Sequence, residues 1–267
     1  MDFKVLCSDL DGTLLTTKSN VSTFTISEIN RIKEHIRIIL VSARMPKAMT
    51  YLQRNLGITD HPLVCYNGAL VLEGQSIIKS VTLPLEKVQN VFDLAQPLGI
   101  DLGLYHHNEW YVPHNTERVR KEIHYTQATP IFRDTKATLE DWKQRGIGPH
   151  KIMLMGDKNT SDIITPQLLE IFMEHMHVYR SNDTLIEVAP KSVSKLSGIQ
   201  LLLKKDETLE DVIAFGDNYN DMDMLQNVGC GVAVGNAREA VKQIARHTTL
   251  NNTEDGVAHF IKRYVLI

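Results

Sequence analysis

Short, uninterrupted apolar runs recur along the chain. Runs of this kind are typical of strands that are buried on both faces, as in a parallel sheet. They lie at residues 5–7, 38–41, 63–65, 212–215 and 232–234. Helical patterns separate several of them, so strands and helices alternate. This alternation predicts an α/β fold with a doubly wound, Rossmann-like parallel sheet as its core.

Three helices of this core are predicted from apolar residues at near-helical spacing. Ser22 is expected to cap the first helix, Pro46 to begin the second and Gly57 to end it. Near the C-terminus, Asn236 is expected to precede the third helix.

The pattern changes in the middle of the chain, where strands and helices mix without regular alternation. This change predicts an α+β cap domain at residues 83–189, inserted into a catalytic core formed by residues 1–82 and 190–267. The strands predicted in the insert are residues 102–105, 110–112, 152–155 and 185–188, and the predicted helix is residues 166–175.

Composition and charge narrow the class of protein. The chain has 267 residues, of which 43% are apolar and 23% charged, as in an ordinary soluble globular protein. A net charge of −3, with no basic run, argues against a nucleic-acid partner. No stretch approaches the ~20 apolar residues of a membrane span, and no signal-peptide pattern is present, so we expect a cytoplasmic protein without a membrane partner. Cys7, Cys65 and Cys230 are expected to be buried thiols.

The segment Asp9-Leu10-Asp11-Gly12-Thr13 directly follows the first predicted strand. Extended residues two apart point to the same side, so both carboxylates can face one site at the strand's carboxyl end, where open α/β sheets bind ligands. Two close carboxylates favour a divalent cation, and their hard oxygens suit Mg²⁺. Gly12 permits a sharp turn that exposes backbone N–H groups to an anion. Taken alone, an ordinary turn after a strand also explains the segment.

Further polar groups lie near other predicted strand ends. Ser42-Ala43-Arg44 follows the second strand, and a hydroxyl there suits a phosphate oxygen. Lys195 precedes a helix, so its ammonium can neutralise a bound phosphate. Two more carboxylates, Asp217 and Asp221, follow another buried strand and are spaced to serve one cation. A helix cap or a solvated side chain explains each group singly, but their recurrence predicts a site for phosphate and metal.

The order of these motifs resembles the haloacid dehalogenase (HAD) superfamily and, within it, the Cof-type phosphatases with a type-2 cap. The resemblance extends over nearly the whole chain. The segments that carry it are residues 9–14, 42–44, 195, 216–225, 66–69, 231–237 and 254–258. The chain departs from the family pattern at Ala43 and Leu196, where glycine is usual or frequent; both departures concern loop shape beside the phosphate contacts.

The resemblance implies a Mg²⁺-dependent phosphomonoester hydrolase acting on a small phosphorylated metabolite, with a sugar phosphate foremost. It implies that Asp9 is the nucleophile and becomes an aspartyl-phosphate. Asp11 then protonates the leaving alcohol and deprotonates the attacking water. Ser42 and Lys195 hold phosphoryl oxygens, with Asn220 near the phosphate.

For the metal, the resemblance implies ligation by Asp9, by the backbone carbonyl of Asp11 and by Asp217, with Asp221 in support. The inserted domain is expected to close over the site and help select substrate. The candidate substrate contacts are Gly12, Arg44, Asn67, Gly68, Arg180 and Ser181.

Two alternatives remain open. A phosphomutase or phosphotransferase of the same superfamily would share the aspartyl-phosphate but pass it to a sugar hydroxyl, and Asp11 fits both chemistries. A non-catalytic regulator that binds a phosphorylated metabolite is the rival from another class, although it would have no need of a nucleophile.

Two weaker patterns point elsewhere. Gly229-Cys230-Gly231 with Gly235 is one residue too long for a dinucleotide fingerprint. The cap histidines His106, His107, His114 and His124 show no recurring ligand spacing, so a polar, partly exposed face is expected there in preference to a metal site.

Overall fold

A computed structural model describes residues 3–17 and 19–265. Its internal contacts divide the chain into two compact units, Met1–Lys79 with Ser194–Ile267, and Ser80–Val193. The predicted boundaries were residues 82/83 and 189/190, three or four positions away from these divisions.

The strands alternate with helices in the first unit and mix with them in the second. In chain order the strands are β1 Val5–Ser8, β2 Arg37–Val41, β3 Leu63–Cys65, β4 Leu70–Glu73, β5 Ser76–Ser80, β6 Asp101–His106, β7 Glu109–Val112, β8 Ile131–Phe132, β9 Lys151–Met155, β10 Met176–Asn182, β11 Leu185–Pro190, β12 Val212–Gly216, β13 Cys230–Ala233 and β14 His247–Thr248.

The helices are α1 Thr23–Ile32, α2 Lys47–Leu56, α3 Leu85–Ala95, α4 Glu117–Thr126, α5 Thr135–Arg145, α6 Lys158–Phe172, α7 Lys195–Gln200, α8 Met222–Asn227, α9 Glu239–Ile244 and α10 Gly256–Tyr264. Shorter helical turns at Leu10–Leu14, Tyr66–Gly68 and Tyr219–Asp221 follow strand ends.

The first unit is built on an eight-stranded sheet in the order β14-β13-β12-β1-β2-β3-β4-β5. The strands from β14 to β3 run parallel, whereas β4 is antiparallel to β3. The chain passes from β1 to β2 on one side and reaches β12 on the other. The carboxyl end of β1 is therefore a topological switch point, where open α/β sheets bind ligands. The predicted α/β fold with a parallel sheet core is confirmed.

Most local predictions for this sheet hold because burial on both faces fixes the strands: every residue of β1 and β12 is buried. Ser22 caps α1, since its side chain accepts a hydrogen bond from the Thr25 N–H at 3.0 Å. Gly57 ends α2 with a left-handed φ of 67°. The predicted strand at residues 232–234 lies two residues too late at its start, because β13 begins at Cys230.

The helix near the C-terminus begins at Glu239, after Asn236, and Arg238 is in the capping position. Asn236 donates a hydrogen bond to the Gly12 carbonyl and accepts one from the Asn252 N–H, both at 2.8 Å. Its side chain thus serves contacts distant in sequence, which local patterns do not reveal.

The second unit has a six-stranded sheet in the order β10-β11-β9-β6-β7-β8, antiparallel except between β7 and β8. Helices α3, α5 and α6 pack apolar side chains on this sheet, with Trp142 fully buried among them. The predicted helix at residues 166–175 is wrong in its bounds, since α6 begins eight residues earlier. A capping box between Asp157 and Thr160 starts it, and its buried face keeps Pro166 inside the helix.

Two further properties concern the whole described chain. Cys7, Cys65 and Cys230 are buried free thiols, as expected. Among residues 3–17 and 19–265, no helix combines the length and the apolar character needed to cross a membrane.

Candidate active site

Asp9 lies at the carboxyl end of β1 and is only 5% exposed. Its backbone N–H donates to the Phe215 carbonyl at 3.0 Å, which ties it to β12. One carboxylate oxygen, Oδ1, accepts a hydrogen bond from the Lys195 ammonium at 2.6 Å. The other, Oδ2, is buried and has no hydrogen-bond partner among the residues that the structure describes. A buried carboxylate oxygen without a donor is costly unless a ligand completes it.

Lys195 is the first residue of α7 and is 1% exposed. Ser194 caps this helix through its side chain, which accepts from the Ser197 N–H at 3.1 Å. The Lys195 ammonium bridges Asp9 and Asp221, at 2.6 Å from an oxygen of each. Burial alone would lower the pKa of Lys195, but the charges of these two carboxylates raise it above its ordinary value. The side chain is therefore a buried, permanently charged cation.

The loop after β12 supplies two carboxylates with different roles. Asp221 is fully buried, and its Oδ2 accepts from the N–H groups of Asp217 and Asn218, each at 3.0 Å, while Oδ1 accepts from Lys195. Asp221 thus shapes the loop and holds the lysine. Asp217 is partly exposed, and its Oδ1 accepts from the Thr13 hydroxyl at 2.9 Å.

The carboxylates form one cluster: an oxygen from each of Asp9, Asp217 and Asp221 lies within 4.8 Å of the others. Burial, followed by the charge of Asp221, raises the pKa of Asp217 to about 6. Burial and the charges of both neighbours also raise the pKa of Asp9 well above its ordinary value, against the opposing effect of Lys195. The cluster therefore holds more negative charge than its surroundings neutralise.

This donor set fits a hard divalent cation. Such an ion would give the unpartnered oxygen of Asp9 a ligand contact. Its positive charge would also offset the negative charge of Asp217, which burial and Asp221 disfavour. Both oxygens of Asp221 already accept hydrogen bonds, so this residue is better placed to position the neighbouring groups than to ligate the ion directly.

Gly12 shapes the turn that carries the first motif. Its φ is 87°, a left-handed conformation that favours glycine, and an added Cβ would lie 2.7 Å from an oxygen of Asp217. Two asparagine side chains donate hydrogen bonds to this turn. Asn236 donates to the Gly12 carbonyl, and Asn252 donates to the Leu15 carbonyl at 2.7 Å. Sequence reasoning missed both as site residues, although each lies in or near a segment that carried the family resemblance.

Asp11 and Arg44 form a bidentate ion pair. The two oxygens of Asp11 accept from Nε and Nη2 of Arg44 at 2.7 and 2.6 Å. Arg44 is buried, whereas the Asp11 side chain is 45% exposed. A further arm of the guanidinium donates to the Tyr51 hydroxyl at 3.2 Å and to the Ala48 carbonyl at 3.4 Å. Arg44, which the sequence suggested as a substrate contact, therefore has its fork directed at Asp11, and Tyr51 is a supporting residue that no motif indicated.

Ser42 lies at the end of β2 and is buried. Its hydroxyl oxygen accepts from the Arg44 N–H at 3.2 Å, and its carbonyl accepts from the Asn67 N–H at 2.9 Å. The Asn67 side chain in turn accepts from the Asn220 amide at 3.1 Å. Hydrogen bonds therefore connect four of the predicted residues, Ser42, Arg44, Asn67 and Asn220.

Gly68 is required for space. An added Cβ would lie 2.2 Å from the Ser194 carbonyl oxygen, so only glycine allows the Asn67 turn to approach the start of α7 this closely.

The remaining two predicted contacts, Arg180 and Ser181, lie on β10 in the second unit. Arg180 pairs with Asp162 at 2.5 Å, and the Ser181 hydroxyl donates to Glu187 at 2.9 Å.

The structure therefore defines an α/β protein with a parallel sheet, at whose switch point carboxylates and a buried lysine form an acidic centre suited to a cation. Residues 6–261 match the model of the haloacid dehalogenase-like hydrolase family. The chain belongs to this family, and the predicted recognition is confirmed.

Individual relatives agree with this assignment. A Haemophilus influenzae protein named "Putative phosphatase" is 33% identical over 263 residues, with 97% of each chain covered. A Bacillus subtilis 5-amino-6-(5-phospho-D-ribitylamino)uracil phosphatase is 29% identical, again with 97% of each chain covered. A haloacid dehalogenase-like hydrolase of Bacteroides thetaiotaomicron superposes with a TM-score of 0.89 at 28% identity, covering 98% of this chain and 99% of that one. The predicted enzyme class, a phosphatase of this superfamily, is confirmed.

Proposed function

We propose that the protein hydrolyses phosphomonoesters of small metabolites, with Mg²⁺ bound, through an aspartyl-phosphate on Asp9. Asp9 acts as nucleophile, Asp11 as acid and base, and Lys195, Ser42 and Asn220 as the groups around the phosphoryl oxygens.

In the first step, a carboxylate oxygen of Asp9 attacks phosphorus, and the bond from phosphorus to the ester oxygen breaks. The departing alkoxide takes a proton from Asp11. In the second step, Asp11 takes a proton from water, the resulting hydroxide attacks phosphorus, and the bond to Asp9 breaks to release inorganic phosphate. A carboxylate nucleophile thus divides one difficult hydrolysis into two easier displacements.

The metal would be held by Asp9, Asp217 and the backbone carbonyl of Asp11, with Asp221 in support. When bound, it supplies positive charge against the negative charge of the phosphoryl group and its nucleophile. Lys195 contributes a fixed positive charge beside Asp9, in a buried position where electrostatic effects are strong.

Arg44 is a positioning residue in this scheme. Its bidentate hold on Asp11 fixes where that carboxyl lies, and Tyr51 and Ala48 fix Arg44. Each Asp11 oxygen accepts one hydrogen bond from Arg44 and keeps a second lone pair, on which it can carry the proton for the leaving group.

One observation carries the proposal: buried Asp9 has one oxygen held by Lys195 and the other without a partner among the described residues. A carboxylate kept only for structure would have both oxygens satisfied. A carboxylate oxygen that is fixed in place yet lacks a hydrogen-bond donor is suited to ligate a metal ion or to attack phosphorus. The relative that acts on a phosphorylated ribitylamino-uracil supports a small phosphorylated metabolite as substrate class. Within that class, we propose a sugar phosphate or polyol phosphate.

Steady-state hydrolysis of p-nitrophenyl phosphate with Mg²⁺ tests the reaction, using Asp9→Asn as the variant and Asp60→Asn as the matched control. Asp60 is an exposed carboxylate of the same unit. We expect the Asp9 variant to lose activity and the control to keep it. Acid quenching of the wild type with phosphorus-labelled substrate should trap label on Asp9. Hydrolysis by the Asp9 variant at the wild-type rate would refute the proposed nucleophile.

A panel of sugar phosphates, polyol phosphates and nucleotides, ranked by kcat/KM, tests the substrate class. Incubation with sugar bisphosphates tests the reaction type. If isomerised monophosphate appears without free phosphate, the protein is a mutase and the proposed hydrolysis is wrong.

A further inference from the structure

Three histidines of the second unit form a cluster that the proposed phosphatase reaction does not use. His106 ends β6, His107 is in the turn that follows, and His150 directly precedes β9. The ring centroids are 4.6 Å apart for His106 and His107, and 5.1 Å apart for His150 and each of the other two. One ring nitrogen from each residue lies within 4.8 Å of the others.

This grouping differs from the sequence expectation, which placed His106 and His107 with His114 and His124. In the structure His114 pairs with Asp101 at 3.1 Å, and the His124 ring contacts Tyr125. The third member of the cluster is His150, more than forty residues away along the chain, because the antiparallel pairing of β6 with β9 brings it there.

Two of the rings have a fixed orientation. Nδ1 of His106 lies 2.7 Å from the Gly148 carbonyl oxygen, and Nδ1 of His150 lies 2.9 Å from that of Val81. A carbonyl oxygen only accepts, so each Nδ1 carries a proton, and in the neutral form of such a ring the lone pair lies on Nε2. Histidines that bind metals are typically held in this way, by donation of the other ring N–H to a backbone carbonyl.

The third ring belongs to His107, which lies in the turn after β6 with a φ of 48°. Among residues other than glycine, histidine, asparagine and aspartate adopt this left-handed conformation most readily. His150 is fully buried, a setting that disfavours a charged ring and favours a neutral imidazole.

We propose that His106, His107 and His150 form a binding site for a divalent transition-metal ion, with Zn²⁺ foremost, that is separate from the acidic centre. Three imidazoles suit zinc and its neighbours in the first transition row, whereas Mg²⁺ prefers oxygen ligands. Three protein ligands leave a fourth position for water or another ligand. A bound ion would join the β6–β7 hairpin to the segment that enters β9.

Zinc binding to the full-length protein tests the proposal, measured by equilibrium dialysis with excess Mg²⁺ to occupy the acidic centre. The variants are His107→Asn, which accepts the left-handed backbone, and His106→Asn, which can still donate to the Gly148 carbonyl. His114→Asn is the matched control, since its ring lies outside the cluster and its side chain is 72% exposed.

We expect the wild type and the His114 control each to bind one Zn²⁺ per chain. Either cluster variant should bind this ion at least about tenfold more weakly. Loading with Co²⁺ should give visible ligand-field bands in the wild type that His107→Asn lacks. Equal zinc stoichiometry and affinity in the wild type and both folded cluster variants would overturn the proposal.

A second measurement needs no variant. In nitrogen-15 spectra of the histidine rings, Zn²⁺ should shift the Nε2 resonances of His106 and His150 and leave those of His114 unchanged. Unshifted cluster resonances at saturating zinc would also overturn the proposal. Because neither readout uses phosphate release, failure of this site is distinguishable from failure of the proposed phosphatase reaction.

Discussion

Asp217→Asn should make the metal-free protein more stable while abolishing Mg²⁺-dependent activity. The carboxylate lies beside Asp9 and Asp221, and its pKa is raised to about 6 from an ordinary value of 3.8. Asparagine has the same shape, and its carbonyl oxygen can still accept from the Thr13 hydroxyl. The substitution therefore removes a charge that the fold disfavours and retains the hydrogen bond.

The magnitude follows from the pKa. A raised carboxyl pKa means that the folded state binds the proton more tightly than the unfolded state, so stability is present below pH 3.8 and is lost as pH rises through 6. The difference of about two pKa units, at about 1.4 kcal/mol per unit, corresponds to about 3 kcal/mol above pH 7. The variant should recover up to this amount at pH 8 and nothing at pH 3.5.

Urea denaturation in EDTA at both pH values measures the gain, with Asp60→Asn as the control for the change in net charge. Added Mg²⁺ should raise the free energy of unfolding of the wild type and have a much smaller effect on the Asp217 variant. If the variant is no more stable than the wild type at pH 8 in EDTA, the charge of Asp217 does not destabilise the fold and the prediction is wrong.

Three further outcomes follow from the same contacts. Lys195→Met leaves the carboxylates of Asp9 and Asp221 without their shared cation, so the free energy of unfolding in urea should fall by about 3–5 kcal/mol; a loss below about 1 kcal/mol would contradict the buried bridge. Arg44→Lys cannot reproduce the fork on Asp11, so kcat should fall at least about tenfold with KM little changed, and an unaltered kcat would remove Arg44 from its positioning role. The pKa of buried His150 is lowered to about 4 from 6.5, so its contribution is present above pH 6.5 and decreases by about 3 kcal/mol as pH falls to 4. Urea midpoints should therefore depend less on pH in His150→Gln than in the wild type, and equal slopes would contradict this assignment.

The sheet and the acidic centre could be predicted from sequence because both depend on local signals. Strands buried on both faces appear as apolar runs, and parallel strands place their carboxyl ends at one edge. Once Asp9 and Asp217 were assigned to strand ends, their proximity followed from topology. The position of Lys195 between two carboxylates was harder to predict from the sequence, because a lysine before a helix is usually solvated.

Side-chain partners distant in the sequence could not be predicted. The pairing of Arg44 with Asp11 depends on the angle at which two loops leave the sheet, and periodicity carries no information on that angle. His150 joins His106 through strand register in the second unit, where the sequence signal was weakest. The predicted helix at residues 166–175 starts eight residues too late, because the capping box at Asp157 begins α6.

The charges of the acidic centre bear on the order in which its ligands bind. Three carboxylates and the ammonium of Lys195 leave two net negative charges, which one divalent cation balances. A phosphomonoester brings two more negative charges at neutral pH. Arg44 does not offset them, because its fork is paired with Asp11. Without the cation, a phosphate would therefore approach a centre that repels it, in a buried position where screening by salt is weak. The cation should bind first, and substrate affinity should depend on its concentration more steeply than on ionic strength.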